Sequence, residues 1–167
     1  MVLGRSQDPP PPRQWQGRLG SALALARQNV SDPGILRRLE DVEGALWNAD
    51  RDRLALIGTL DGLQPERASR ELKDALRENF ENPSEANLSL AESLQLRHES
   101  INALKDRIEE LERTIDKTTA DVEALAASSA QLALRPGNSA AGVEQMMHHL
   151  THDLEVLSNV HEQLAGE

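Results

Sequence analysis

The feature that most constrains this chain is a segment from Ser84 to Leu134 that contains neither glycine nor proline. Within it, core positions recur at alternating steps of three and four residues, which is the repeat of a helix that packs against other helices. One row of this repeat contains Leu94, Ile101, Ile108, Ile115, Val122 and Ser129, and the other contains Arg97, Leu104, Leu111, Thr118, Leu125 and Leu132. We call the two rows the long seam.

A helix of about 50 residues is about 75 Å long at a rise of ~1.5 Å per residue. Such a rod cannot bury its apolar side chains on itself, so the long seam must be covered by other helices. The residues predicted to carry that contact are Leu94, Ile101, Leu104, Ile108, Leu111, Ile115, Val122 and Leu125.

Two further segments have the apolar spacing and the length to cover the long seam. Ser31-Asp32-Pro33 is a helix start, with Ser31 as the capping residue, and predicts a helix from Pro33 to about Asp61 that ends at Gly62. Arg53 is the one polar break in the apolar stripe of this helix. A turn at 135–139 predicts a last helix over about 140–164 that runs antiparallel to the long one.

A shorter helix is predicted near Pro65, where four apolar residues are expected to close the end of a bundle; they are Leu72, Ala75, Leu76 and Phe80. The predicted fold is therefore all-α, an elongated antiparallel helical hairpin or three-helix bundle with a long coiled-coil helix. Its helical coiled-coil bundle is assigned to residues 31–167.

Three polar residues, Arg97, Thr118 and Ser129, interrupt the long seam. Such positions lower stability and fix helix register and partner number. Isoleucine or valine in one row with leucine in the other favours a parallel two-stranded pairing between copies, whereas the antiparallel helices of the same chain compete for the same surface. The sequence leaves both arrangements open.

The N-terminal region consists of two parts. Residues 1–12 contain four consecutive prolines and are predicted to be a flexible Pro-rich arm. Residues 13–30 are predicted to form a short amphipathic helix, whose apolar face includes Trp15, Leu19 and Leu23, with Arg18 and Arg27 at its edges. This helix either docks on the body of the protein or lies on a membrane surface, since a tryptophan with arginine flanks suits the headgroup boundary.

The charge balance argues against a nucleic-acid partner. The net charge is −10, and residues 39–167 contain 12 Lys and Arg against 26 Asp and Glu, so most of the surface would repel a polyanion. The absence of cysteine excludes disulfides and thiolate chemistry. Without an apolar run of about 20 residues, the chain is expected in the cytoplasm, with association at a membrane surface as the alternative.

The sequence contains no glycine-rich phosphate loop and no His-Glu-x-x-His pattern, so we expect neither an enzyme nor a cofactor. The one cluster with ligand chemistry is Glu144, His148 and His152 in the last helix, at a spacing that can chelate Zn²⁺. Exposed polar residues on a helix are the simpler interpretation. His161 falls in the apolar row of the same helix, where its protonation would place a charge in the packed interface.

These observations predict a non-enzymatic coiled-coil scaffold or adaptor that binds other proteins and associates with itself as a dimer. A peripheral membrane protein anchored through the N-terminal helix is the first alternative. A helical protein that binds a metal ion through its histidine cluster is the second.

Overall fold

The helical repeats of the sequence correspond to five helices in a computed structural model that describes residues 14–134 and 141–165. These helices are α1 (Gln14–Asn29), α2 (Pro33–Gly62), α3 (Pro65–Glu81), α4 (Glu85–Leu134) and α5 (Ala141–Ala165). The described ranges contain no strand, so the all-α prediction is confirmed. The predicted arm over 1–12 and the predicted turn over 135–139 lie outside the described residues.

Side-chain caps fix where two of the helices begin. The Asp32 carboxylate accepts hydrogen bonds from the backbone N–H groups of Gly34 (2.7 Å) and Ile35 (3.3 Å). Asp32, and not Ser31 as predicted, therefore caps α2. At the start of α4, Ser84 Oγ accepts a hydrogen bond from the Asn87 N–H at 3.1 Å and caps the helix.

The prediction for the long segment is confirmed in length and continuity, because α4 is one helix of 50 residues. The chain's direction reverses between α4 and α5. Lys117 of α4 contacts Asp153 of α5, and Arg107 contacts Gln163. Residue numbers fall along α4 as they rise along α5, which is the order of an antiparallel pair.

The chain divides into two units, and α2, α4 and α5 each contribute to both. The first unit contains the described residues up to Leu46 together with Ile115–Ser158. Its core is mostly apolar and drawn from four helices, α1, α2, α4 and α5. Large side chains in that core include Trp15, Leu19, Leu23, Leu39, Leu46, Ile115, Leu125, Met147, Leu150 and Leu157.

The second unit contains Trp47–Thr114 and the described residues from Asn159 onward. Here α3 packs against the first half of α4, and much of the buried surface comes from small side chains: Ala49, Ala68, Ala75 and Ala91, with Leu72, Ile101, Ile108, Leu111 and Val160. Alanine buries little apolar area, so the core of the second unit buries less apolar area for its length than the core of the first unit.

The junction between α2 and α3 has a strained residue. Helix α2 ends at Gly62, as predicted, but the left-handed backbone conformation falls on Gln64, whose φ is 51° and ψ is 67°. A residue with a Cβ atom in this region carries a penalty of about 1–2 kcal/mol.

We therefore expect Gln64→Gly to raise the free energy of unfolding by about 1 kcal/mol, because glycine adopts this conformation without strain. Chemical denaturation followed by circular dichroism measures the change. Gln131→Gly, at an exposed helical position of α4, is the matched control and should lower stability by about 1 kcal/mol. Equal losses for both variants would contradict the left-handed assignment.

Candidate functional site

The residues predicted to contact a partner along the long seam are mostly covered by the chain itself. Leu94 and Leu104 are partly buried, and the other six are buried: Ile101, Ile108, Leu111, Ile115, Val122 and Leu125. The structure contains one chain, so this cover comes from its own helices. In this structure helices of the same chain pack on these residues, and a second copy would have to displace those helices to pair along them.

The apolar face of α1 is also buried. Trp15, Leu19 and Leu23 are 1–2% exposed in the core of the first unit. At the edges of this face, Arg18 forms two hydrogen bonds with the Glu123 carboxylate (2.9 and 2.6 Å), and Arg27 contacts Glu43 at 3.0 Å.

These contacts correspond to the docked arrangement of α1. To meet a lipid surface with the same side chains, α1 would have to leave the unit and break both ion pairs. Among the described residues, no helix has the length and apolar character needed to cross a membrane.

The polar break at Thr118 meets a buried carboxylate on α5. Asp153, which is 4% exposed, accepts hydrogen bonds from Lys117 Nζ at 2.6 and 2.7 Å and lies 3.4 Å from the Thr118 hydroxyl. Partial burial acts to lower the pKa of Lys117, but the hydrogen bonds with Asp153 and Asp121 outweigh it, and the pKa is raised. The ammonium is thus held in its charged form opposite Asp153. This contact sets the register of α5 on α4 in the first unit.

The burial of Asp153 corrects the predicted packing of α5. The sequence placed His161 in the apolar row, but the residues buried at these turns are Asp153 and Val160, while the neighbouring Leu154 and His161 are only partly buried. A count of apolar positions passes over a polar residue, so the predicted row lies one residue too far along the helix. The signal that would have found Asp153 is its three-residue step from Leu150.

Arg97, the polar residue of the long seam in the second unit, joins three helices. Its guanidinium donates to the Leu63 carbonyl oxygen, at the end of α2, at 2.7 Å and to the Glu71 carboxylate of α3 at 3.0 Å. A hydrogen bond from Arg67 lowers the pKa of Glu71, and Arg97 adds to that effect. Arg97 thereby satisfies a free carbonyl at a helix end and fixes α3 against α4.

A second buried charge cluster involves the polar break that the sequence identified in α2. Arg53 (5% exposed) hydrogen-bonds to Asp50 (7% exposed) at 2.9 Å, and its guanidinium lies 3.6 Å from the Glu112 carboxylate of α4. Nearby in sequence, the Asp52 carboxylate lies 2.7 Å from His161 Nδ1 of α5. The structure therefore places a carboxylate beside the imidazole that the sequence assigned to the packed interface.

The histidine cluster lies on an exposed face of α5. Glu144 and His148 line a groove with Asp32, Arg38 and Met147, and His152 is exposed. The described part of the chain contains no group of three or more His, Asp or Glu side chains placed to hold a metal ion. The structure therefore does not bring Glu144, His148 and His152 together as a metal site.

Large apolar side chains remain exposed on α3 and on the first half of α4. Phe80 is 87% exposed, Leu76 50% and Leu88 49%. The sequence predicted that Leu76 and Phe80 close the end of a bundle, but only Leu72 and Ala75 of that set are buried. Helix α3 has 17 residues and packs through one narrow face, so the flank that contains Leu76 and Phe80 stays exposed.

We call this flank, with Lys73, Leu76 and Phe80 of α3 and Leu88 and Glu92 of α4, the α3–α4 face. It continues into a groove of about 670 Å³ whose lining contains three of the chain's cations. The groove is lined by Pro65, Glu66, Ser69, Arg70, Lys73, His98, Ile101 and Lys105.

Comparison with family models, with curated proteins and with solved structures gives no match for this chain. The function of this chain is therefore inferred from its exposed side chains.

The buried Asp50–Arg53 pair generates a stability prediction. Asp50→Ala should lower the free energy of unfolding by about 3 kcal/mol, because it leaves a buried guanidinium with only the more distant Glu112. Asp50→Ala combined with Arg53→Met should recover most of that loss, as measured by urea denaturation.

The matched control is Asp74→Ala, because Asp74 and Arg77 form a similarly spaced pair that is about two-thirds exposed. Its effect should be within about 0.5 kcal/mol of zero. A double variant that is less stable than Asp50→Ala alone would contradict the assignment.

The Arg18–Glu123 contact generates a pH prediction. The hydrogen bond from Arg18 lowers the pKa of Glu123 in the folded chain. The stabilisation that the Arg18–Glu123 contact provides is therefore present above the ordinary glutamate pKa of about 4.3. It is lost as the pH falls through the lower pKa that Glu123 has in the folded chain. Glu123→Gln should lower stability at pH 7 by less than about 1 kcal/mol, because the pair is about 40% exposed and screened by solvent.

Chemical denaturation at neutral and acidic pH tests this prediction. The difference between the parent chain and Glu123→Gln should shrink at acidic pH, whereas Glu40→Gln, at an exposed position of α2, should have no effect at either pH. A difference that is unchanged by acid would rule out this role for Glu123.

Proposed function

We propose that this chain is a non-enzymatic helical scaffold or adaptor that binds proteins, itself included, through the α3–α4 face. The observation that carries the proposal is the 87% exposure of Phe80, flanked by the half-exposed Leu76 and Leu88. Contiguous large apolar side chains on a charged surface are typical of protein-binding sites.

The contrast with the rest of the molecule supports the α3–α4 face over the long seam. Most of the predicted contact residues from Ile101 to Leu125 are buried, and so are Trp15, Leu19 and Leu23 of α1. Other helices also have single exposed apolar residues, but Phe80, Leu76 and Leu88 lie on α3 and the first turns of α4, where a partner can bind them without unfolding the chain. Coiled-coil packing accordingly acts inside the chain and holds this face in place.

The chemistry of the α3–α4 face suits a protein ligand. Phe80 and Leu88 offer apolar contact, while Lys73 and Glu92 provide charges of both signs that select orientation. Charges of both signs on one face favour a partner with a matching pattern over a uniformly anionic lipid surface. We assign the scaffold to the cytoplasm and expect it to act without a cofactor.

A photo-crosslinking experiment tests the proposal. The residue p-benzoylphenylalanine is placed at position 80, and cells of the native host are irradiated. We expect covalent adducts heavier than the 18.4 kDa chain, because a partner covers this side chain. The same probe at Gln28, an exposed position of α1, is the matched control and should give none of these adducts.

Leu76→Asp together with Leu88→Asp should reduce the adducts at position 80 at least about tenfold, since both introduce charge into the apolar contact. Circular dichroism checks that the variant remains helical. Absence of adducts at position 80, or equal adducts at positions 80 and 28, would refute the proposed function.

A further inference from the structure

Two rows of side chains form the α3–α4 face. On α3, Ser69, Lys73, Leu76 and Phe80 follow one another at steps of four, three and four residues, so they lie along one side of the helix. On α4, the residues with the same steps are Leu88, Glu92, Gln95 and Glu99. Each row is therefore a single stripe about three turns long.

Both rows lie on the same side of the helix pair. Ser69 and Lys73 line the basic groove together with His98 of α4, and Gln95 lies one turn before His98 on that flank. Leu90 and Leu94 line the opposite side with Glu71 and Glu78.

The contact between Glu71 and Arg97 places the two rows level with each other. The helices are antiparallel, and this ion pair at 3.0 Å marks one shared height. Phe80 is nine residues beyond Glu71, and Leu88 is nine residues before Arg97, so Phe80 and Leu88 are level. By the same count, Leu76 is level with Glu92.

The charges on the two rows have opposite signs and lack internal partners. The α3 row carries Lys73 with Arg70 at its edge, and the α4 row carries Glu92 and Glu99. Within the described ranges, neither Lys73 nor Glu92 has an oppositely charged group within ion-pair distance, and Glu99 accepts only an amide hydrogen bond from Gln95. Each row thus has an apolar end and a charged end that the chain leaves unmatched.

We infer that the α3–α4 face binds the same face of a second copy, related by a two-fold axis parallel to the two helices. Such an axis lays the α3 row of one copy on the α4 row of the other and preserves height. Phe80 then meets Leu88 of the second copy, and Lys73 lies between Glu92 and Glu99 of the second copy. This inference rests on the proposed function and names the partner.

Self-complementarity argues for a second copy over an unrelated protein. In a two-fold contact, each residue of the α3 row that meets a residue of the α4 row of the second copy forms the same pair again with the copies exchanged. Here Phe80 matches Leu88 at one height, and Lys73, which is level with Gln95, lies about one turn from both Glu92 and Glu99; both matches occur twice in the dimer. The contact closes on itself, so it produces dimers and not filaments.

A charge-exchange experiment tests the inference. Lys73→Glu and Glu92→Lys each place like charges together at both symmetric contacts of their own dimer. Each variant alone should raise the dimer Kd at least about tenfold. In an equimolar mixture, the carboxylate introduced at position 73 of one variant faces the ammonium introduced at position 92 of the other. The second contact keeps the parent pair, Lys73 with Glu92, so both contacts are attractive and the mixed dimer should form.

Light scattering and sedimentation equilibrium measure the masses, with the parent chain expected at twice 18.4 kDa. Circular dichroism establishes that each variant has the helicity and Tm of the parent, and Asp74→Lys on the opposite flank of α3 should leave the dimer unchanged.

Two outcomes would overturn the inference. One is a parent chain that stays monomeric up to about 1 mM. The other is a mixture of the two variants that remains as monomeric as each variant alone. If position 80 nevertheless crosslinks to other proteins in cells, the self-pairing fails while the proposed function stands.

Discussion

The burial of one long apolar seam organises this molecule. Helix α4 runs for 50 residues without a break, and its core rows need cover along most of that length. The chain supplies that cover itself, with α1, α2 and α5 in the first unit and with α2, α3 and α5 in the second. Because packing within the chain uses the seam, the surface left for partners is determined by what the covering helices fail to bury.

Polar contacts then decide how the covering helices sit on α4. In the first unit, the contact between Asp153 and Lys117 holds α5 on α4. In the second unit, Arg97 of α4 contacts the end of α2 and also α3, and Arg53 of α2 contacts Glu112 of α4. Buried or half-buried charges of this kind add little net stability, since burial removes their hydration. They make other registers costly, because a shifted helix would leave a charge buried without its partner.

The sequence predicts the parts of this structure that depend on periodicity. The long helix, the end of α2 at Gly62 and the Ser84 cap all follow from spacing and local chemistry. Sequence reasoning misses Asp153, because a count of apolar positions passes over a carboxylate even where it keeps the three-residue step from Leu150. It also misses the exposure of Leu76 and Phe80, since an apolar side chain on a helix looks the same whether a neighbour covers it or not. The candidate surface therefore depends on which neighbour is absent, and that is a property of the fold.

The architecture of this molecule depends on the long seam being covered within a single chain. Hydrogen–deuterium exchange at the amides of residues 101–125, repeated over a range of protein concentrations, tests this most directly. Intrachain cover predicts strong protection that does not change with concentration, because no second molecule is needed to bury these residues. Protection that appears only as the concentration rises, or rapid exchange at every concentration, would contradict the account.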